Sequence, residues 1–400
     1  MCASPAVPHP TEPAAAPGLR WLLNPRRGLP GLTVLPAGGF RRARAEITAW
    51  PGYAPTPLRD LPALAMQAGV ASVQVKDESG RFGLGSFKAL GGAYAVLGVM
   101  QAELARQGIA KAATAAELMA GAHAGAGITV TCATNGNHGR SVAWGARRFG
   151  ADCVIFVHPG VSQGRRDAIA AYGAEVRASP GTYDDSVRAA AAAAAEHGWH
   201  VVSDTSWPGY TEIPREVMQG YRLMAAEALE VWSGPPPTHA FVQGGVGGMA
   251  AAVSVQLRTL QPVPALVVVE PHDAACLMAS AQAGTITAAG SLDTVMAGLA
   301  CGEPSLIAWQ ELERAAAAFL SIPDDAAVNA MRVLAECGVV SGESGAAGLA
   351  GLLRAAADPQ ARAALGLDHS SRILLFSTEG ATDPELYARL VHSSGQGHGP

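Results

Sequence analysis

Four hundred residues, 49% of them hydrophobic, are enough for one large or two medium domains around a buried core. The formal net charge is −5 and no dense Lys or Arg run occurs, which speaks against a sequence-independent grip on nucleic acid or an anionic membrane surface and leaves small molecules as the expected partners. The cysteines are scattered, with no CxxC pair and no histidine at finger spacing; no metal site is expected, a disulfide scaffold is disfavoured, and a cytoplasmic chain is expected.

In chain order, residues 1–20 are rich in Pro and Ala, without the basic start and apolar stretch of a signal peptide, and read as a disordered tail. Candidate strands then fall at 72–78, 128–134, 152–158, 174–179, 199–205, 238–244, 265–271 and 372–378. Ala-rich helical stretches separate them, among them a run of alanines at 189–195 too short to cross a bilayer. Continuous apolar strands alternating with helices predict a doubly wound α/β fold with a parallel sheet buried on both faces. The middle block carries its own strands, so residues 86–182 are expected to form a smaller α/β domain, and residues 21–85 and 183–390 a larger, discontinuous one. Residues 391–400 read as a second disordered tail. A ligand is expected in the cleft between the two domains.

Four stretches carry chemistry. Of 28 basic residues only Lys76, Lys88 and Lys111 are lysines, so each lysine invites a role that arginine cannot fill, such as forming a Schiff base. Lys88 lies in GRFGLGSFKALGG, between Phe87 and an apolar helix, where desolvation is expected to lower its pKa. The strand at 128–134 runs into NGNHG, a turn at a helix start whose amides suit a carboxylate or a phenolic oxygen; a plain capping turn accounts for Asn135 but leaves Asn137 and His138 idle. The loop Gly244, Gly245, Val246, Gly247, Gly248 stands between a strand and a helix and suits a phosphate, although a tight turn explains the glycines equally well. Finally, Asp204, Ser377 and Thr378 sit just past strand ends, where open α/β sheets build their sites. A lysine, a phosphate cradle, an asparagine and a hydroxyl together form the inventory for holding pyridoxal 5'-phosphate.

The stretches RFGLGSFKALGGAYA, TNGNHGRSVAWGA, DTSWPGYTEIPREVMQGY, GGVGGMAAAV, MAGLACGEPS, SGESGAAGL and STEGATD, in this order from about residue 50 to 388, resemble the successive motifs of diaminopropionate ammonia-lyase. That family is a fold type II pyridoxal-phosphate enzyme of the threonine dehydratase and tryptophan synthase beta-like group. The resemblance implies that Lys88 forms the Schiff base with the cofactor, that Asn137 meets the phenolic oxygen, that Gly244–Gly248 bind the phosphate, and that Thr378, or else Ser377, faces the pyridine nitrogen. It implies a substrate site at Thr134, Asn135, Gly136 and His138 with Asp204 beside it, a catalytic set of Lys88, Asp204 and Asn135, and a homodimer.

The implied reaction is α,β-elimination of 2,3-diaminopropionate to pyruvate and ammonia. Position 135 departs from the family, which carries Asp there as the base for the D-isomer; an amide cannot take up that proton, so weak D-isomer activity is expected. The same departure leaves elimination or replacement on another L-amino acid, such as serine, threonine or an activated serine, as the alternative. A protein that merely binds the cofactor is the least favoured reading. Cys276 and Cys301 also match family cysteines, and the resemblance raises a disulfide between them, against the cytoplasmic expectation.

Overall fold

Val- and Leu-rich runs free of Gly zip into most of the strands here. In the computed structural model, which describes residues 18–28 and 34–392, eleven strands form. They are β1 (Arg20–Leu23), β2 (Leu58–Asp60), β3 (Ser72–Asp77), β4 (Thr129–Ala133), β5 (Asp152–Val157), β6 (Glu175–Ala178), β7 (His200–Val201), β8 (His239–Gln243), β9 (Ala265–Pro271), β10 (Ala316–Ile322) and β11 (Arg372–Ser377).

A seven-stranded sheet has the order β1-β10-β9-β8-β11-β3-β2 and a four-stranded one the order β6-β5-β4-β7. The smaller sheet is parallel throughout, and the larger is parallel except at its two edges, where β1 and β2 run antiparallel to their neighbours. Along the central strands successive residues enter different cores: Val242 and Val268 face one apolar cluster, Phe241 and Val267 another. That two-sided burial is why these strands read as unbroken apolar runs. The first cluster continues through Val96 and Met100 of the helix Ala89–Arg106 to Val130 and Ile155 of the smaller sheet, so the two sheets share packed side chains.

All eight expected stretches contain a strand, but 199–205 shortens to His200–Val201. Three strands were not foreseen. β1 and β2 are short edges, and β10, with the sequence AAAFLSI, follows directly on the helix Leu306–Ala315 and looks like its continuation. Its extended state comes from being gripped between β9 and β1, with Phe319 opposite Val268 and Leu22. The expected domain boundary at 182 needs correction: β7 pairs beside β4, with Val130 opposite His200, so the smaller unit runs on to about residue 201. The helix Tyr183–His197 that leads into β7 lays Ala190 against Ala133, Val154 and Phe156, and only small side chains allow that close approach.

Most of the expected N-terminal tail and residues 393–400 lie outside the described residues. Within them, Arg20 already belongs to β1, and the last helix, Pro384–His392, runs past the expected boundary at 390. No helix among the described residues is long and apolar enough to cross a membrane.

Candidate active site

Strand order decides where a ligand can enter. In the large sheet the chain moves from β8 outward to β9 and β10, whereas β11 returns to the other side of β8. In the small sheet β5 and β6 lie on one side of β4 and β7 on the other. Connections that diverge in this way leave a crevice past the carboxyl ends of the strands. The two crevices face each other across a cleft of about 880 Å³, counting its open mouth, lined by Lys88, Thr134–His138, Asp204, Gly245–Gly248 and Thr378.

Lys88 stands immediately before the helix Ala89–Arg106. Its Nζ lies 2.5 Å from Asp204 Oδ2 and close to the rings of Phe87 and Tyr221. The expectation of a lowered lysine pKa is corrected. Burial does work against the charge, but the Asp204 carboxylate and its hydrogen bond, with Tyr221, outweigh it and hold Lys88 above its ordinary range. Asp204 is buried as well, which works against its charge; the positive charge that His138 gains when protonated, and Lys88 with its hydrogen bond, hold its carboxyl well below the usual carboxylate range.

The surroundings of His138 fix the proton on one of its nitrogens. Its Nε2 is 2.8 Å from the Val202 carbonyl, which only accepts, so Nε2 carries the proton. Burial lowers the ring's pKa, which favours the neutral form with Nδ1 unprotonated. Its Nδ1 is thus a bare acceptor, buried without a hydrogen-bond partner and 3.7 Å from Asp204 Oδ2. Two acceptors stand side by side, and among the described residues Lys88 Nζ is the side-chain donor that reaches the carboxylate.

The turn Thr134–His138 starts the helix Asn137–Phe149. Thr134 Oγ1 accepts from the backbone N–H groups of Gly136 and Gly139. Gly136 has φ +144°, and a Cβ there would press on the Arg165 side chain. Asn137 donates from Nδ2 to Glu379 Oε2, a carboxylate of the large-sheet side that also accepts from Ser344 N at 3.0 Å.

The glycine loop lies between β8 and the helix Gly248–Leu257, which begins without any side-chain cap, at Gly247 with φ +92°. A Cβ on Gly245 would come 3.2 Å from the Gly298 carbonyl and 3.3 Å from Cys301 Sγ, so the backbone alone fits. Gly245 to Gly248 line the cleft; Gly244, whose N–H bonds to Val269 O at 2.8 Å, extends the strand beneath. Between the two hydroxyl candidates, Thr378 lines the cleft while Ser377 is buried against the Glu379 carbonyl. Gln243 Nε2 is 2.7 Å from two carbonyl oxygens and 3.3 Å from Thr378 Oγ1, which leaves the Thr378 proton available to a ligand.

Cys276 and Cys301 are free thiols, both buried, and the disulfide between them does not form. Burial pushes the Cys301 thiol up to about 12, so it is no nucleophile at neutral pH. Sequence reasoning gave no part to Arg165, Tyr183 or Glu379, all of which line the cleft. Arg165 pairs with Glu343 across it. Only Glu379 left a signal, by following Thr378 at a strand end.

An uncapped helix start with a side-chain-free loop, a lysine set against a carboxylate and a free hydroxyl, all on facing crevices of two parallel sheets, define the site of a pyridoxal-phosphate-dependent enzyme of fold type II. Residues 49–375 match the family model described as "Pyridoxal-phosphate dependent enzyme". The diaminopropionate ammonia-lyase of Escherichia coli K12 is 41% identical over 357 residues, which cover 85% of this chain and 88% of that protein. Two crystal structures of the Escherichia coli diaminopropionate ammonia lyase are similar to this chain at 37% identity, covering 93% of it and 96% of each. One, in complex with D-serine, has a TM-score of 0.86; the other, in complex with an aminoacrylate-PLP azomethine reaction intermediate, has 0.83. The chain belongs to the diaminopropionate ammonia-lyase family.

Proposed function

We propose that the chain eliminates the β-amino group of L-2,3-diaminopropionate, taking up one water and releasing pyruvate and two ammonia molecules, with pyridoxal 5'-phosphate held in this cleft. The residues fit that cofactor. The amides from Gly245 to Gly248 and the helix start behind them would take the phosphate. The Thr378 hydroxyl would meet the pyridine nitrogen, and the second N–H of Asn137 Nδ2 the phenolic oxygen. When bound, the cofactor supplies the electron sink for charge developing at Cα.

The observation that carries the substrate assignment is the pair of acceptors at Asp204 and His138. Once Lys88 is tied to the cofactor, the buried Asp204 carboxylate lies beside the unpartnered His138 Nδ1, and among the described residues no other side-chain cation is paired with it. A second ammonium group on the substrate would satisfy both, and serine or threonine has none to offer. Lys88, released by the substrate amine, takes the Cα proton from its own side of the cleft. The amides at the start of the helix Asn137–Phe149, with the Thr134–Gly136 turn, hold the substrate carboxylate. Asn135 cannot take a proton, so turnover of the D-isomer is weak.

The test supplies the purified holoenzyme with L- and D-2,3-diaminopropionate, L-serine and L-threonine and measures pyruvate, 2-oxobutyrate and ammonia. Two ammonia per pyruvate from the L-diamino acid, well above any hydroxyamino-acid turnover, is expected; preference for L-serine or L-threonine would favour the alternative. Asp204→Asn should remove about 2 kcal/mol or more of charge-assisted binding, roughly 30-fold or more in kcat/KM for the diamino acid, with a smaller loss for serine. A cytoplasmic homodimer belongs to the same reading, and light scattering of the holoenzyme tests the dimer.

A further inference from the structure

Asn135 has more to do than lack a carboxylate. Its Nδ2 donates to the Ala297 carbonyl at 3.0 Å, and its Oδ1 lies 3.0 Å from His158 Nε2. His158 follows β5 in the smaller sheet, next to β4, which leads into the turn that carries Asn135, while Ala297 opens the turn Ala297–Leu299 on the large-sheet side. The amide therefore spans the cleft.

The tautomer of His158 follows from its other nitrogen. The Gly160 N–H donates to His158 Nδ1 at 3.2 Å, so Nδ1 is the acceptor and Nε2 carries the proton. That proton points at Asn135 Oδ1, which leaves Nδ2 for the Ala297 carbonyl. Turning the amide over would set N–H against N–H at one end and oxygen against oxygen at the other. Burial, then the charge of Arg166, lowers the ring's pKa and favours the same neutral form.

We infer that His158 is a positioning residue, which locks Asn135 through a one-way hydrogen bond into a neutral clamp across the cleft. Two consequences follow. His158 cannot stand in as a base at this position, because its only free-facing nitrogen already holds a proton. An Asp at 135 would keep the His158 bond but turn its second oxygen onto the Ala297 carbonyl, acceptor against acceptor. A carboxylate alone therefore does not restore base chemistry here. The stereochemical part of this proposal rests on the elimination reading; the tautomer and the clamp do not.

The experiment uses the holoenzyme and its variants Asn135→Asp, Asn135→Leu, His158→Leu and His158→Gln. Asn135→Asp is expected to lower L-diaminopropionate turnover without bringing the D-isomer up to match; equal turnover of both isomers at the parent's L-rate would overturn the proposal. Loss of one hydrogen bond in His158→Leu should raise KM for the L-substrate roughly 3- to 10-fold with a smaller change in kcat. His158→Gln, whose amide N–H replaces Nε2–H, should bring most of it back, whereas equal damage in both variants would reduce His158 to a packing role.

Histidine 15N NMR of labelled holoenzyme reads the clamp without any turnover. The signal that disappears in His158→Gln should show the Nε2–H form in the parent, with its proton shifted in Asn135→Leu. A proton on Nδ1, or no response to Asn135→Leu, would overturn the assignment.

Discussion

Two of the three lysines stand against buried carboxylates, and they do opposite things. Lys76 has no exposed side-chain surface; its Nζ donates to the Thr56 carbonyl and to Glu227 Oε2, each at 2.6 Å. Glu227 also accepts from Arg81 and from Tyr53, and Arg81 closes the cluster by bonding Glu78. Every charge in that cluster meets an opposite one, and none lies open to the cleft. Lys88 faces one carboxylate, opens into the cleft, and has a bare histidine nitrogen close by.

One helix, Glu212–Glu230, supplies Glu227 to the first cluster and Tyr221 to the second. Burial of a lysine thus does not mark chemistry. What separates the two is whether the surrounding charges and acceptors are already satisfied.

The comparison breaks most visibly at Lys88. Replacing it with Ala should cut elimination per folded molecule by roughly 10³-fold or more, as expected for loss of the general base; a variant near the parent rate would end its catalytic assignment. The reverse pattern is expected at the other cluster. Glu227→Ala strands Lys76 and Arg81 without their shared partner and should cost about 3–5 kcal/mol in urea unfolding. Activity per folded molecule should survive, and an unmoved urea midpoint would show that the cluster is not a structural element.

Gly247→Ala sharpens the boundary between the two roles. Its φ of +92° and the Leu312 and Leu277 side chains at 3.0 and 3.2 Å from an added Cβ predict a stability loss of about 1 kcal/mol. The larger signal should be weaker cofactor binding, roughly tenfold for each 1.4 kcal/mol of lost contact, read by titrating the apoprotein with pyridoxal phosphate. Unchanged affinity would remove this loop from the phosphate site.

The smallest effect is at acid pH. Asp204 has its pKa depressed in the folded state, chiefly against burial and by virtue of His138 and Lys88, so it contributes stability above the unfolded carboxylate value of about 3.9. That contribution is lost as pH falls through the depressed value. Asp204→Asn should therefore flatten the acid limb of apoprotein stability below about pH 4, and an identical limb in both proteins would mean that the Lys88 pair does not form in solution.

Much of this was legible in the chain. The strands β3, β4, β5, β8, β9 and β11 announce themselves by apolar runs with β-branched residues, and NGNHG and GGVGG mark turns where backbone amides come free at helix starts. Lys88 stood out through the scarcity of lysine and its glycine-broken approach. β10 did not, because AAAFLSI has the local preferences of the helix it follows and becomes a strand only between β9 and β1. The reach of the smaller unit to β7 was equally hidden, since a two-residue strand has no pattern of its own.

By itself the sequence determined what depends on neighbours in the chain: periodicity, turn chemistry, and which side chains stand just past a strand end. Only the tertiary structure decided which lysine was saturated and which was poised, because Lys76 finds Glu227 across 151 residues and Lys88 finds Asp204 across 116. The same holds for Asn135, whose clamp joins Ala297 and His158 from distant parts of the chain. Charge interactions and hydrogen bonds act through space between groups that the fold brings together, so their balance is set where the chain returns to itself.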